Sequence, residues 1–215
     1  MFIAKSAPGL MTFIAGGVPL GVPLQWRAPS DQFMEMNMTY VIRYGTAESV
    51  LGPFVAALSE RGLALVEFGA LAASDLAVCF PEAEVIDESA ALQATVTMIA
   101  AHIEEPWAPC NLALDLRGSD FELAVWQALR AIPAGTTTTY GEIAGRLGMP
   151  RAAREVGEAC AANRLAVIVP CHRVVKKDGS LSGYRWGVRR KRALLEREAT
   201  AGLLCRSAIV AHGAA

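Results

Sequence analysis

The stretch Thr139–Asn163, TYGEIAGRLGMPRAAREVGEACAAN, decides the fold that is predicted for the second half of the chain. Thr139 and Glu142 have the capping-box spacing that starts a helix. Pro150 suits the first turn of a second helix, and Asn163 is predicted to close that helix in a left-handed cap. Two short helices joined by a glycine-containing turn are typical of a helix-turn-helix, although α-hairpins inside protein cores have the same outline.

The charge around this stretch is unevenly distributed. Residues 151–200 contain 12 Lys and Arg against five Asp and Glu, whereas the whole chain has a formal net charge of -1. Arg151 and Arg154 lie at the start of the predicted second helix. A basic region of this kind favours a polyanionic partner such as nucleic acid, and a solvated basic surface without a partner is the alternative.

Composition and cysteine spacing exclude several classes of protein. The 215 residues are 53% hydrophobic and 19% charged, which is typical of a globular and not of a disordered chain. The five cysteines are an odd number and include no Cys-x-x-Cys pair, so neither a disulfide framework nor a zinc module is indicated. A reducing, cytoplasmic location is predicted.

Patterns along the chain divide it into four segments. Residues 1–38 are apolar but interrupted by proline and glycine, which argues against a signal peptide or a membrane span and favours a flexible extension. Short apolar runs separated by turns then indicate a hairpin around Gly62, a helix over 89–104 and a strand over 112–118. The predicted organisation is an extension at 1–38, a small α/β domain at 39–116, a mostly helical domain at 117–200 and a tail at 201–215.

The run Val169–Val174, VPCHRV, places a cysteine beside a histidine. Residues 165–169 are continuously apolar and predict a buried strand that ends at Pro170, with Cys171 at the edge of the core. His172 and nearby cationic side chains are expected to lower the pKa of the thiol, because only the thiolate is a good nucleophile. Neighbours in a strand point to opposite faces, so the pair cooperates only if the chain turns at Pro170 or a water bridges the two groups. The cationic residues are Arg173, Lys176 and Lys177.

A third group is needed to orient the histidine. In the last predicted helix Glu198 shares a face with Leu194, whereas Glu196 points away. A buried carboxylate requires a hydrogen-bonding partner, so Glu198 is a candidate partner of His172, and a surface glutamate is the alternative. The apolar residues that define the inward face of this helix are Val188, Leu194 and Leu195.

With these residues in place, the sequence from about 119 to 199 resembles the catalytic domain of the O6-alkylguanine-DNA alkyltransferases, also called methylated-DNA-protein-cysteine methyltransferases. The resemblance rests on PCHRV at 170–174 after a helix-turn-helix, and on GSLSGYRWG at 179–187, which is closest to the Ada-like branch of the family. It implies an α/β (α+β) fold, with a small RNase-H-like amino-terminal domain and a mostly helical, winged-helix-like catalytic domain. It also implies that no cofactor and no metal take part.

The activity that the resemblance implies is DNA repair by a suicide enzyme. A methyl or larger alkyl group moves irreversibly from O6-alkylguanine, or from O4-alkylthymine, to Cys171. The implied partner is double-stranded DNA, bound through its minor groove with the target nucleotide rotated out of the stack. A monomer without membrane association is expected.

The resemblance also assigns roles to five catalytic positions. Cys171 corresponds to the alkyl acceptor, and His172 to the base that removes the thiol proton through a water. Glu198 corresponds to the carboxylate that holds the imidazole. Tyr140 corresponds to the residue that helps to rotate the nucleotide and protonates the leaving guanine at N3, although an aromatic side chain near a helix start also packs without such a role. Asn163 corresponds to a hinge whose side chain bonds near the active-site turn.

Further positions match the DNA-binding surface of the family. Arg154 corresponds to the finger that fills the space left by the rotated nucleotide, and Tyr184 to a wall of the guanine pocket. Glu155 stands where the family usually has alanine, so its carboxylate is expected to weaken DNA binding. The predicted DNA-contacting residues are Arg151, Ala153, Arg154, Gly157, Arg173 and Tyr184.

Two other functions remain open at this point. Alkyltransferase-like proteins bind lesions without a reactive cysteine, and the presence of Cys171 argues against that class. A Cys-His hydrolase on a small α/β fold would use the same pair of side chains. Such a hydrolase has no need of a helix-turn-helix or of a basic region.

Overall fold

A four-stranded sheet begins the computed structural model, which describes residues 40–212 and their side chains up to residue 201. The strands are β1 Tyr40–Ala47, β2 Phe54–Ser59, β3 Gly62–Phe68 and β4 Ala83–Asp87, in the spatial order β3-β2-β1-β4. β1 pairs antiparallel with β2 and parallel with β4, and β2 pairs antiparallel with β3. The predicted extension at 1–38 lies outside the described residues.

Six helices and a short second sheet complete the described part of the chain. The helices are α1 Ala73–Cys79, α2 Gln93–Glu104, α3 Asp120–Arg130, α4 Tyr140–Arg146, α5 Ala153–Ala162 and α6 Val188–His212. The second sheet pairs β5 Thr138–Thr139 in parallel with β6 Val174–Val175. Because β5 directly precedes α4, this pairing brings the start of α4 beside the segment that carries Cys171 and His172.

Both faces of the large sheet are buried, and β2 shows how. Phe54 and Ala56 face a core that is shared with α2 and α3, whereas Val55 and Ala57 face a second core that includes Leu76 of α1. A strand that is buried on both sides has a continuous apolar sequence, as β2 does. The first core extends without interruption into the helical half.

The sheet also contacts the helical half through its backbone. Val66 in β3 receives a hydrogen bond of 3.1 Å from the N–H of Ala166 and donates one of 2.9 Å to the carbonyl of Arg164. These bonds anchor the apolar run before Pro170 to the edge of the sheet. The run is buried, as predicted, but it makes one isolated bridge and then turns, so it is not a regular strand.

Other predicted elements are confirmed or corrected by the described residues. The hairpin around Gly62 is confirmed, and glycine is required there because its φ is 136° and a Cβ would collide with the backbone of Ala113. The helix predicted over 89–104 begins at Gln93. The strand predicted over 112–118 is reduced to a single bridge between Leu63 and Leu114.

The two helices of the predicted helix-turn-helix form and pack against each other. Thr139 Oγ1 accepts a 3.2 Å hydrogen bond from the N–H of Glu142, and Glu142 Oε2 accepts one of 2.8 Å from the N–H of Thr139, which confirms the capping box. α5 begins at Ala153, so Pro150 lies in the connection and not in the helix. The left-handed cap predicted at Asn163 is wrong, since its φ is -57°.

The inward face of α6 is confirmed at Leu194 and Glu198 and is wrong at Val188. Val188 is 41% exposed, and Lys191 is buried together with Leu194 and Glu198. The backbone of α6 stays helical to His212, so the part of the predicted tail from 201 to 212 continues this helix. None of the helices in the described residues is both long and apolar enough to cross a membrane.

Candidate active site

Two tight turns place Cys171 at the end of the buried apolar run. A backbone hydrogen bond of 2.7 Å closes a γ-turn around Val167, whose φ is 66°. A second one, of 2.8 Å, closes an inverse γ-turn around Pro170 at φ -80° and ψ 59°. Cys171–Arg173 then form one turn of 3₁₀ helix. The chain therefore turns at Pro170, as cooperation between the cysteine and the histidine requires.

The side chain of Asn163 holds this double turn. Its Nδ2 donates to the carbonyl of Val169 over 3.0 Å and to Cys171 Sγ over 3.3 Å. Its Oδ1 accepts from the N–H of Leu165 over 2.9 Å. A β-branched residue at positive φ costs about 1–3 kcal/mol, so these bonds oppose the strain at Val167. Asn163 thus lies at the predicted hinge position next to the thiol.

Burial dominates the chemistry of the thiol. Cys171 is 5% exposed, and burial raises its pKa to about 11, against the opposing effects of the Asn163 amide and the Lys191 charge. Lys176 and Lys177 are exposed. The expected lowering of the pKa by neighbouring cations is therefore wrong. At neutral pH Cys171 is a thiol, and it needs a base to become a nucleophile.

His172 has a buried ring nitrogen, Nδ1, that is available to accept a proton. It is fully buried, with Nε2 2.9 Å from Oε1 of Glu198. A carboxylate only accepts hydrogen bonds, so Nε2 carries the hydrogen and Nδ1 keeps a free lone pair. Nδ1 is buried and has no hydrogen-bond partner among the described residues. Burial lowers the pKa of His172 despite the opposing effect of Glu198, so the imidazole is neutral at pH 7.

Glu198 is a buried carboxylate that is held from three sides. Besides the His172 contact, Oε1 accepts from Nη2 of Arg173 over 2.8 Å, and Oε2 accepts from the N–H of Gly135 over 3.0 Å. Burial opposes ionisation, but the bonds from His172 and Arg173 outweigh it and lower the pKa of Glu198 to about 2. The inward position of Glu198, predicted from the phase of the last helix, is confirmed.

The same contacts correct the expectation for Arg173. Its guanidinium also donates to the carbonyls of Ile132, over 2.6 Å, and Pro106, over 3.0 Å. The side chain is 9% exposed, and all its bonds point inward. Arg173 is therefore a buried partner of Glu198 and not a residue of the DNA-binding surface.

A cavity of about 340 Å³ opens onto Cys171. Its walls include Tyr140, Gly157, Cys160, Cys171, Tyr184 and Arg185. Tyr184 packs edge-on against Trp186, with ring centroids 5.0 Å apart. Tyr140 donates its hydroxyl hydrogen to Ser182 Oγ over 2.6 Å. The volume lies in the range of small-molecule sites, and the cavity is lined by aromatic side chains and thiols.

The remaining predicted DNA-contacting residues lie on or just before α5. Arg151 and Arg154 are exposed, whereas Ala153 and Gly157 are partly buried. The side chain of Arg154 is 86% exposed and pairs with Glu158 over 3.1 Å. α5 thus presents an exposed arginine next to small residues, and one of these, Gly157, lines the cavity that contains Cys171.

Sequence reasoning missed Ser182 and Lys191. Lys191 precedes Leu194 by three positions and Glu198 by seven, so the same helix phase that identified Glu198 indicates Lys191 as well. With Lys191 and Arg173 buried, the charge of residues 151–200 overstates the basic surface. Within the described part of the chain, no three His, Cys, Asp or Glu side chains come together as metal ligands.

Fold and site together define a protein that presents two buried cysteines, Cys160 and Cys171, to a cavity beside a helix-turn-helix. The chain belongs to the 6-O-methylguanine DNA methyltransferase family, whose DNA-binding domain matches residues 120–200. The sequence prediction of this family is confirmed, as is the mixed α/β fold.

Individual relatives agree with this assignment. The bifunctional transcriptional activator/DNA repair enzyme Ada of Escherichia coli is 45% identical over 173 residues, which are 79% of this chain and 49% of Ada. The chain thus spans about half the length of that relative. The methylated-DNA–protein-cysteine methyltransferase of Mycobacterium leprae is 45% identical over 113 residues, 53% of this chain and 68% of that protein.

The fold agrees with a solved structure. A crystal structure of Mycobacterium tuberculosis OGT in complex with DNA superposes with a TM-score of 0.64 at 38% identity. The match covers 74% of this chain and 93% of that one. It includes both the sheet and the helical half, so the shared architecture is not limited to the helix-turn-helix.

Proposed function

We propose that the protein repairs DNA by transferring a methyl or larger alkyl group from O6-alkylguanine, and from O4-alkylthymine, to Cys171. The observation that carries this proposal is the cavity over Cys171, with a neutral His172 and an ionised Glu198 behind the thiol. The thioether that forms is stable, so each molecule acts once. Relatives named as DNA repair enzyme and as methyltransferase support the proposal.

The chemistry follows from the protonation states. Nδ1 of His172 takes the thiol proton through a water, and Glu198 stabilises the imidazolium that results. The thiolate attacks the alkyl carbon in line with guanine O6, so that the S–C bond forms as the C–O bond breaks. Once it has formed, the thiolate of a thiol with a high pKa is a stronger nucleophile than the thiolate of a more acidic thiol. Tyr140 then protonates the leaving guanine at N3.

Double-stranded DNA is the proposed partner, with α5 in the minor groove. The alkyl group reaches a buried thiol only if the nucleotide leaves the stack, which costs a few kcal/mol. The exposed side chain of Arg154 is proposed to fill the space that is left. Its ion pair with Glu158 is solvent-exposed and worth at most about 1 kcal/mol, so it breaks readily on binding.

Arg154 and Glu155 are expected to have opposite effects. Arg154→Ala should slow transfer from duplex DNA by a factor roughly 10-fold larger than the factor by which it slows transfer from single-stranded DNA. A single strand has little base stack to refill. Glu155→Ala should tighten binding to any DNA by less than about fivefold, since exposed charges are screened. Both predictions are tested by measuring the single-turnover transfer rate and the DNA affinity of each variant on matched single- and double-stranded substrates. If Arg154→Ala slows transfer equally on the two substrates, Arg154 is a phosphate contact. If Glu155→Ala weakens DNA binding, the carboxylate of Glu155 does not act by repelling phosphates.

The finer structural assignments are also part of the proposal. The order β3-β2-β1-β4, with β1 and β4 parallel, supports an RNase-H-like amino-terminal domain at 39–116. The packed pair α4 and α5, with β5 before it and β6 after it pairing in a small sheet, supports a winged-helix-like catalytic domain at 117–200. A reduced thiol is needed to accept the alkyl group, which supports a reducing, cytoplasmic location. A monomer that uses no cofactor and no metal stays a prediction.

Labelled DNA tests the proposed function directly. Duplex DNA with a tritiated O6-methylguanine is incubated in molar excess over the protein, and the labelled peptide is mapped. We expect label on Cys171, a stoichiometry that approaches one and no further turnover. Label on Cys160, or several turnovers per molecule, would contradict the proposal.

A further inference from the structure

One wall of the cavity over Cys171 belongs to a segment without regular structure. Residues 183–187 lie between β6 and α6, and the N–H of Gly187 donates to the carbonyl of Tyr184 over 2.9 Å, which closes a tight turn. Tyr184 and Arg185 line the cavity from this turn. A turn outside regular structure is held in place mainly by the contacts of its side chains. The position of this wall therefore depends on what those side chains contact.

The contacts lead to Glu67 in β3, the edge strand of the large sheet. Glu67 Oε1 accepts a hydrogen bond of 2.6 Å from Nε1 of Trp186, and Oε2 accepts one of 3.3 Å from Nε of Arg185. The side chain of Glu67 is 15% exposed, and Trp186 is buried. An indole N–H only donates hydrogen bonds, so a buried tryptophan needs an acceptor. One carboxylate of the sheet thus binds two consecutive residues of the turn.

The ring of Trp186 connects this carboxylate to the cavity wall. It packs edge-on against Tyr184, with ring centroids 5.0 Å apart, and against Phe68, the residue after Glu67, at 6.5 Å. The guanidinium of Arg190 lies 4.8 Å from the centroid of the Phe68 ring and donates to the carbonyl of Trp186 over 3.0 Å. The end of β3 therefore places Trp186, and Trp186 places Tyr184.

We propose that Glu67 is a positioning residue for alkyl transfer: through Trp186 it holds Tyr184 where the wall must grip the rotated alkylguanine. This inference rests on the proposed function and gives the sheet a part in it. In this role Glu67 touches neither the base nor the thiol of Cys171. In-line displacement depends on the placement of the alkyl carbon, and a misplacement of about 1 Å costs about 100-fold in rate.

The charge of Glu67 is a second way in which this residue could act. Arg185, its ionic partner, is 38% exposed in its side chain, and a partly exposed ion pair contributes little. Trp186 is buried, so its hydrogen bond to Glu67 is the contact that we assign to positioning. Glutamine at position 67 removes the charge and keeps an oxygen that accepts a hydrogen bond, so Glu67→Gln separates the two contributions.

Two electrophiles test the inference. Transfer from O6-methylguanine in duplex DNA requires that the wall holds the base, whereas iodomethane alkylates Cys171 without any base. Glu67→Ala is expected to slow transfer from saturating DNA by about 10-fold and alkylation by iodomethane by less than about twofold. Glu67→Gln should recover most of the rate. The control is Glu60→Ala, at an exposed glutamate in the turn before β3, which should change neither reaction.

The DNA affinity and a second variant distinguish positioning from other roles. Because Glu67 acts on the base inside the bound complex, Glu67→Ala should lower the rate constant at saturating DNA and leave the Kd for undamaged duplex within about twofold of wild type. Trp186→Phe keeps an aromatic ring and removes the N–H that Glu67 accepts. It should also slow transfer from DNA and leave the reaction with iodomethane unchanged.

Each outcome of these measurements decides the inference. Transfer by Glu67→Ala at the wild-type saturating rate, or equal slowing with both electrophiles, overturns it. Equal slowing by Glu67→Gln and Glu67→Ala overturns it as well, because the charge would then be the cause. If Glu67→Ala does not fold, Trp186→Phe decides: slowing with DNA alone supports the inference, and wild-type transfer overturns it. A wild-type protein that accepts no methyl group from DNA instead contradicts the proposed function.

Discussion

Replacing Cys171 with serine should reduce methyl transfer to background and leave DNA binding within about 1 kcal/mol of wild type, a factor of roughly five. Serine preserves the size of the side chain and accepts the hydrogen bond from Asn163. Its hydroxyl is far less acidic than a thiol, and His172 cannot convert it into an anion in a buried site. Single-turnover transfer and binding to duplex DNA with O6-methylguanine measure the two effects separately.

Cys160→Ser is the matched control for this prediction. Cys160 lines the same cavity and is also buried, and burial raises the pKa of its thiol even further than that of Cys171. It has no His-Glu pair behind it among the contacts of the described residues. Cys160→Ser should therefore transfer at the wild-type rate. If Cys171→Ser retains some transfer, and this transfer disappears when Cys160→Ser is added, the activity belongs to Cys160.

The parts of the fold that were predicted correctly depend on local geometry. The capping box of Thr139 and Glu142 involves residues three apart, so the sequence alone specifies it. The inward position of Glu198 follows from its spacing to Leu194 on one helix. The pairing of Cys171 and His172 was recognised as conditional on a turn, and that turn is present at Pro170.

The parts that were not predicted depend on contacts between distant segments. The γ-turn at Val167 has no sequence signal, because a β-branched residue is the least expected one at positive φ. Arg173 was predicted on the DNA-binding surface and Lys191 was missed, because cations are rarely buried, yet partners from other segments enclose both. For the same reason the pKa of Cys171 was predicted to be lowered, whereas burial raises it, and burial is a tertiary property.

These buried cations divide into two groups with different chemistry. Arg173 is neutralised by Glu198, so the Arg–Glu–His cluster has a fixed charge distribution at neutral pH. Among the described residues Lys191 contacts only neutral oxygens, so no carboxylate there balances its charge.

Glu198→Gln tests the Arg–Glu–His cluster, and it should have a large effect on the free energy of unfolding. An amide keeps the shape of the carboxylate but removes its charge, which leaves the guanidinium of Arg173 buried without a counter-ion. Removing one partner of a buried ion pair costs about 3–5 kcal/mol, so the free energy of unfolding should fall by that amount at pH 7. Glu196→Gln, on the exposed side of the same helix, should change it by less than about 0.5 kcal/mol.

The pH dependence of this loss has a definite sign. The pKa of Glu198 is lowered from 4.5 to about 2 in the folded protein. Its contribution to stability is therefore fully present above pH 4.5 and is lost as the pH falls toward 2. Urea unfolding should show a smaller difference between wild type and Glu198→Gln at pH 3 than at pH 7. A difference that does not change with pH would mean that the charge of Glu198 is not what stabilises the cluster.

The same substitution should slow alkyl transfer at temperatures where the protein is folded. The glutamine amide can donate to Nε2 of His172, which moves the imidazole hydrogen to Nδ1, the atom that must accept the thiol proton. We expect transfer from O6-methylguanine DNA to slow by roughly 100-fold or more, and alkylation of Cys171 by iodomethane to slow in parallel, because both need the thiolate. Wild-type iodomethane reactivity in Glu198→Gln would exclude Glu198 from the activation of Cys171 and restrict it to holding Arg173 in the core.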